Sequence, residues 1–344
     1  MNNDERFMRE ALREARKSLG QTSPNPAVGA VLVRRNRIVA RGHHRRAGLP
    51  HAEIECLRRF KRAVPKDAVL YITLEPCSSV GRTGACTDAI ILAGVKLVVI
   101  GATDPNPRHR GRGIEILQNA GIEVRSGVLA EKCARLNEAF NKWIATGIPF
   151  VTVKCGMSLD GRLSRPSREG RWITSAAARK HAERLRAESD AILVGAETVR
   201  TDNPHLTVGG ARNARQPIRV VITRSGNLPR RARIFNDRQA KNTLVYRNEP
   251  LAAVLADLGK KNVVSVMIEG GGSVLGHTLD ERLIDKVQIY IAPIFTGGGV
   301  SAFGGNGARS TSESARLDRV MFEKVGPDLC VTGYPKYSAM SGTE

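Results

Sequence analysis

Four side chains carry the clearest chemical pattern in the sequence. His51 and Glu53 stand two apart in His51-Ala52-Glu53, and Cys77 and Cys86 follow in Glu75-Pro76-Cys77 and Ala85-Cys86. One imidazole and two thiolates supply three ligands to a tetrahedral zinc ion and leave its fourth position to water, the pattern of a catalytic rather than a structural site. Zinc so held lowers the pKa of its water from about 15.7 toward about 7. Glu53 is near enough to the ligand histidine to reach that water without binding the metal, so it can carry a proton to a departing amine.

Each piece alone is weak. His-x-Glu recurs by chance on helix surfaces, and two cysteines nine apart are often buried small apolar side chains. Joined with Pro76, the apolar segment before it and the turn-rich stretch 78–85, they read as ligands. Hydrolytic zinc deaminases use His-x-Glu followed by Pro-Cys-x-x-Cys; here eight residues separate the cysteines, so the short form is not matched. Cys56, Cys133, Cys155 and Cys330 have no such company and are expected in the core.

The elements around these residues must place them at helix starts. Phe7, Met8, Ala11, Leu12 and Ala15 recur at helical spacing, and two apolar segments at 27–33 and 37–40 flank a basic turn that suits a hairpin. Alternation then predicts a helix over 51–62, a strand at 69–74, a helix over 86–93 and a strand at 96–101. A helix at 114–120, a strand at 122–126 and a helix over 130–144 complete a three-layer α/β unit. His51 and Cys86 each open a helix directly after a turn, so both helix N-termini face one edge, where partial positive charge lowers thiol pKa values.

Thr146-Gly147-Ile148-Pro149 breaks the last helix and marks a boundary, dividing the chain into domains 1–147 and 148–344. Strands are predicted at 150–154, 191–195, 218–223, 243–246, 264–268, 286–292 and 319–325, and helices over 175–187 and 251–258. The glycine-rich stretch 297–307 reads as a loop. Two domains suit a length of 344 residues.

Composition narrows the function classes. The apolar runs are far too short to cross a bilayer, the first residues lack the order of a secretion signal, and six scattered cysteines make no disulfide scaffold. A cytoplasmic protein is expected. The net charge of +21 raises a nucleic-acid partner, but the excess is spread evenly over both halves and aromatic residues for base stacking are 4% of the chain. Basic faces that attract phosphorylated small molecules fit better, and no nucleic-acid partner is expected.

With Gly81-Arg82-Thr83 between its cysteines, the chain resembles the bifunctional riboflavin-biosynthesis deaminase/reductases. Pro24-Asn25-Pro26-Ala27-Val28-Gly29, Ala47-Gly48, Thr73-Leu74-Glu75-Pro76-Cys77 and Asp104-Pro105-Asn106-Pro107 carry the resemblance in the first half. Lys154, Ser158-Leu159-Asp160-Gly161, Trp172-Ile173-Thr174-Ser175, Asp202-Asn203-Pro204 and Glu269-Gly270-Gly271 carry it in the second. It implies a cytidine-deaminase-like α/β/α domain followed by a dihydrofolate-reductase-like α/β domain. The first would deaminate 2,5-diamino-6-(5-phosphoribosylamino)pyrimidin-4-one with Zn2+ and Glu53. The second would use NADPH to reduce the ribosyl group to a ribityl chain, as a homo-oligomer joined through the reductase domain.

By the same resemblance Asn25 would hold the deaminase substrate. NADPH would meet Gly156, Trp172, Thr198, Asp202 and the turn with Gly271, Gly272 and Ser273, and the reductase substrate would meet Gly170, Arg186, Leu206 and Glu269. A three-glycine turn between a strand and a helix lets backbone N–H groups approach a phosphate. The chain departs from the family at Ser79-Val80, Gly84-Ala85, Gly170 and Gly209, where the last replaces a phosphate-binding arginine; Arg212 or Arg215 could stand in for it.

Two rivals make distinct predictions. A zinc-dependent RNA or nucleotide base deaminase with a degenerate reductase domain would share the metal wiring. A non-enzymatic zinc-stabilised protein would need a fourth ligand, for which His43, His44 and His109 are the nearest candidates.

Overall fold

The computed structural model describes residues 2–78, 84–107, 109–164, 169, 172–209 and 215–338. They divide into two compact units, Met1–Ile148 and Pro149–Glu344. In the first, α1 (Asn3–Arg16) leads into β1 (Gly29–Arg34), β2 (Arg37–His43), α2 (Ala52–Phe60), β3 (Ala68–Leu74), α3 (Cys86–Leu92) and β4 (Leu97–Ala102). It closes with α4 (Arg112–Asn119), β5 (Glu123–Ser126), α5 (Ala130–Leu136) and α6 (Glu138–Thr146).

The first sheet has the order β2-β1-β3-β4-β5. β1 is antiparallel to both neighbours, while β3, β4 and β5 are mutually parallel. Successive side chains on a strand point to opposite faces, and both faces are apolar here. Leu32, Leu70, Ile72 and Val98 pack with Ala52, Cys56, Ile90 and Leu117 on one side. Val31, Tyr71 and Val99 pack with Phe7, Met8, Leu12 and Cys133 on the other. Burial on both faces requires helices on both, hence three layers.

β2, β3 and β4 run in the same direction, so α2, α3 and the 103–111 loop all begin at one edge. Gly42 seats α2: a Cβ there would lie 2.4 Å from the Ala52 carbonyl oxygen and from the Cys56 nitrogen, so any side chain would lift the helix that carries His51 and Glu53. The expected single helix over 130–144 is two. Asn137 breaks it because its buried side chain turns away to accept from Ala27 N at 2.8 Å and donate to Ala27 O at 2.9 Å, a pairing no local pattern reveals.

The second unit comprises β6 (Phe150–Ser158), α7 (Ala176–Glu188), β7 (Ala191–Gly195), α8 (Ala196–Asp202), β8 (Ile218–Thr223), α9 (Arg233–Asn236) and β9 (Thr243–Arg247). It continues with α10 (Leu251–Lys260), β10 (Ser265–Ile268), α11 (Gly272–Asp280), β11 (Lys286–Ala292), β12 (Arg316–Val325) and β13 (Asp328–Lys336). Its sheet has the order β12-β13-β11-β6-β10-β7-β8-β9. From β11 to β9 the strands are parallel, and β13 and β12 add an antiparallel edge. β7 is buried at every position, as a central parallel strand covered on both faces must be. β13, α8, α9 and α11 were not expected from the sequence.

One buried carboxylate shapes the edge of the first sheet. Glu75, 4% exposed, accepts from Asp104 N at 3.0 Å and Gly111 N at 3.1 Å through Oε2, and from Gly113 N at 2.9 Å and Ile114 N at 3.4 Å through Oε1. It folds the 104–111 loop over the end of β3 and caps α4. Glu75→Gln would aim an amide NH2 at N–H donors, so we expect a loss of about 2–3 kcal/mol. In calorimetry of the full chain the transition of the first unit should fall while that of the second stays.

Candidate active sites

The edge where β2 and β3 end gathers the predicted ligands. His51 precedes α2 at its N-cap and Cys86 opens α3, with Cys77 at the end of the turn after β3. Nδ1 of His51 lies 3.2 Å from Sγ of Cys86 and 3.5 Å from Sγ of Cys77. All three donor atoms fall within 4.8 Å of one another, and no other His, Cys, Asp or Glu of the described residues joins them. At this spacing the groups perturb one another: hydrogen bonds from Cys86 and His51 draw the Cys77 thiol down to about 4, and the same contact with Cys77, with burial, pushes Cys86 up. The contact with Cys77 raises His51. A nitrogen and two sulfurs converging on one point fit a zinc ion.

Glu53 lies in the first turn of α2, 3% exposed. Its Oε2 is buried without a hydrogen-bond partner, and burial pushes the carboxyl up to about 7. A buried polar atom left unpaired calls for an explanation, and a carboxyl poised near neutrality beside a metal-ligand cluster is suited to moving protons.

His44 joins Asn25 to this cluster. Asn25 Nδ2 lies 3.1 Å from His44 Nε2, His44 Nδ1 lies 3.1 Å from the Pro50 carbonyl oxygen, and the His44 ring meets His51 edge to face at 5.1 Å. Both His44 nitrogens are thus engaged, and burial lowers its pKa. It is not the fourth ligand a closed structural site would need. The sequence offered His44 as one of the nearest candidates for a fourth ligand, and its place beside His51 as a partner of Asn25 needed the fold. Ser79 to Thr83 lie outside the described residues. Cys56, Cys133, Cys155 and Cys330 are buried and free, as expected of core residues; burial pushes Cys56, Cys133 and Cys155 up to about 12.

In the second unit a cavity of about 960 Å³ opens at the carboxyl ends of β7 and β8, lined by Ala196, Arg200, Arg224, Ser225, Ser273 and His277 among others. The carboxyl ends of parallel strands are where open α/β sheets bind ligands. Gly272 starts α11 at the cavity's side, where a Cβ would lie 1.9 Å from the Ser301 carbonyl oxygen, and one on Gly271 would reach Thr198 Oγ1 at 3.8 Å. Among the predicted cofactor contacts Ser273 lines the cavity and Thr198 adjoins Gly271. Arg224 and Ser225, which also line the cavity, were not among the expected contacts; they follow the strand expected at 218–223, whose parallel pairing brings them to this end of the sheet.

Beside this crevice Glu269 is buried between two cations. Lys154 Nζ donates to Oε2 at 3.1 Å, Arg186 Nε to Oε1 at 2.5 Å and Arg186 Nη2 to Oε2 at 2.8 Å. Burial opposes the charge on Glu269, yet Lys154 and Arg186 hold its carboxyl down at about 2. Gly156 sits on β6, where a Cβ would meet Thr174 Cγ2 at 3.2 Å, and Trp172 is 51% exposed under the Arg179 guanidinium at 5.0 Å. Asp202 is the last residue of α8, and Leu206 is buried with φ of +51°. Gly170 and Arg212 lie outside the described residues. Arg215 donates to the buried Asp190 at the amino end of β7, away from the crevice, so it does not replace the arginine missing at Gly209. Asp160 pins the start of the glycine-rich loop by accepting from Thr296 N at 3.1 Å and Gly297 N at 2.8 Å.

Comparison with known proteins joins the two halves. The cytidine and deoxycytidylate deaminase zinc-binding region matches residues 1–102, and the RibD C-terminal domain matches residues 149–331. The riboflavin biosynthesis protein RibD of Aquifex aeolicus is 39% identical, covering 95% of this chain and 97% of the relative, and that of Escherichia coli is 37% identical, covering 95% and 98%. Among solved structures, RibD of Acinetobacter baumannii superposes with a TM-score of 0.89 at 34% identity, over 97% of this chain and 99% of that one. The diaminohydroxyphosphoribosylaminopyrimidine deaminase/5-amino-6-(5-phosphoribosylamino)uracil reductase of Thermotoga maritima gives 0.85 at 34% identity over the same shares. Matched along nearly its whole length by proteins that join a deaminase to a reductase, the chain belongs to the RibD family of riboflavin-biosynthesis enzymes.

Proposed function

We propose that residues 1–147 deaminate the diaminohydroxyphosphoribosylaminopyrimidine at a centre built from His51, Cys77, Cys86 and Glu53, and that residues 148–344 reduce the resulting 5-amino-6-(5-phosphoribosylamino)uracil with NADPH. The observation that carries the deaminase reading is the convergence of three donor atoms within 4.8 Å next to the buried carboxyl of Glu53, whose Oε2 has no hydrogen-bond partner.

Zinc bound by His51, Cys77 and Cys86 supplies Lewis-acid activation of water. Glu53 accepts a proton from the attacking water and delivers it to the leaving amine: a carbon–oxygen bond forms, the carbon–nitrogen bond breaks, and ammonia departs. Asn25, oriented by His44, presents its amide to the pyrimidine. Burial of Glu53 keeps bulk water from intercepting the proton.

In the reductase half the crevice at the ends of β7 and β8 takes NADPH, with Thr198, Asp202 and the turn Gly271-Gly272-Ser273 against it and Gly156 and Trp172 toward the reacting end. Arg186, Leu206, Glu269 and Gly170 hold the phosphoribosyl substrate. Glu269 pairs with both Lys154 and Arg186, offsets one of their two charges and fixes where their remaining N–H groups point.

The enzyme works in the cytoplasm as a homo-oligomer joined through the reductase domain. β12 supports this: it is an edge strand with Val320, Met321 and Phe322 exposed, Phe322 at 70%, and such a row invites a second copy.

With the phosphoribosylated diaminopyrimidine as substrate, purified protein should release ammonia without NADPH and oxidise NADPH only after deamination; absence of ammonia would sink the reading. Glu53→Gln should keep zinc and lower deamination by about 100-fold or more, since an amide holds the shape but carries no proton, while reduction of supplied aminouracil stays normal. Cys77→Ser should lose zinc by metal analysis and destabilise the first unit. Phe322→Glu should shift the sedimentation coefficient toward that of one chain.

A further inference from the structure

We infer that Arg219 is a positioning residue of the reductase, holding the 203–206 segment that runs from Asp202 to Leu206; this rests on the roles proposed for those two residues. Arg219 lies on β8, between Ile192 of β7 and Thr243 of β9 in register. It is 0% exposed. A guanidinium cannot shed its charge in a protein, so a buried one must be matched by acceptors.

The acceptors are specific. Nη1 donates to the His205 carbonyl oxygen at 3.1 Å and to Asp237 Oδ2 at 2.7 Å, and Nη2 donates to the Ile234 carbonyl oxygen at 2.7 Å. One planar fork thus ties the loop after α8 to the end of α9. Asp237 is fixed in turn by Gln239 N at 2.9 Å, and its Oδ2 lies 3.7 Å from His205 Nδ1.

The tied segment needs tying. Asn203 has φ of +43° and Leu206 φ of +51°, a left-handed conformation that a bulky residue adopts only when its surroundings impose it. Leu206 is imposed upon from one side by the core with Val221, Ile234 and Met267. Asn203 is held by its Oδ1, which accepts from Arg233 N at 2.8 Å. Between them, Arg219 grips the backbone itself at His205. A lysine keeps the charge but cannot present two nitrogens in a plane to three acceptors.

The test is Arg219→Lys in the full chain. Reductase KM for NADPH or for the aminouracil substrate should rise about tenfold or more, as for small misplacements of binding groups, with ammonia release from the same preparation unchanged. Hydrogen exchange of the peptide covering 203–207 should quicken while that covering α10 does not. A lower melting temperature with unchanged KM and unchanged exchange at 203–207 would show a structural role alone and overturn the inference. Should Arg219→Lys not fold, Asp237→Asn decides: it keeps the carbonyl contacts but removes their anchor, so a smaller rise in KM with quicker exchange is expected, and no change in either overturns the inference. If the unaltered enzyme fails to oxidise NADPH, the proposed reduction has failed instead, and exchange at 203–207 still reports on Arg219.

Discussion

The deaminase centre depends on a single constraint, that three chain segments end at the same sheet edge. β2 and β3 point one way, so the turns after them deliver the N-termini of α2 and α3 side by side. A histidine and two cysteines far apart in sequence then meet within 4.8 Å. Gly42 keeps α2 against the sheet and Glu75 keeps the neighbouring loop folded down over the same edge. Each leaves the metal chemistry alone and sets the distance over which it operates.

The second unit uses the same idea with another sheet. Parallel strands align their carboxyl ends, and the helices that follow present N-termini and unpaired backbone donors there. What differs is the handling of charge. In the deaminase half Glu53 is buried with no lysine or arginine among the described residues paired to it, and burial raises its carboxyl to about 7. In the reductase half Glu269 is buried between Lys154 and Arg186, which keeps it ionised. Burial thus leaves one glutamate poised near neutrality and pairing keeps the other ionised, the first suited to moving a proton and the second to fixing cations in place.

Much of this was legible in the sequence. Apolar periodicity located α1, the β1–β2 hairpin, α2, β3, α3 and β4, because a strand or helix buried on a defined face leaves a period in the residues that fill it. The spacing of His51, Glu53, Cys77 and Cys86 named the zinc chemistry, since few side-chain sets present one nitrogen, two sulfurs and a nearby carboxylate. Elements of weak local pattern were missed. α11 begins in glycines and contains Gly276, which disfavour a helix in isolation, and β13 carries Gly333 and Pro335, which disfavour a strand.

What the residues alone supplied is the candidate chemistry, one imidazole, two thiols and a nearby carboxylate suited to a metal and a proton, together with a two-part α/β chain of the deaminase/reductase type. Tertiary structure alone decided what those groups are next to. Asn137 splits a helix by pairing with Ala27, 110 residues away. His44 turns from a candidate fourth ligand into a link between Asn25 and His51, Arg215 goes to Asp190 rather than to the crevice, and Arg219 becomes a buried clamp. The physical reason is that donor type is a property of one residue, whereas burial, pairing and distance are set by segments remote in sequence that pack together only in the fold.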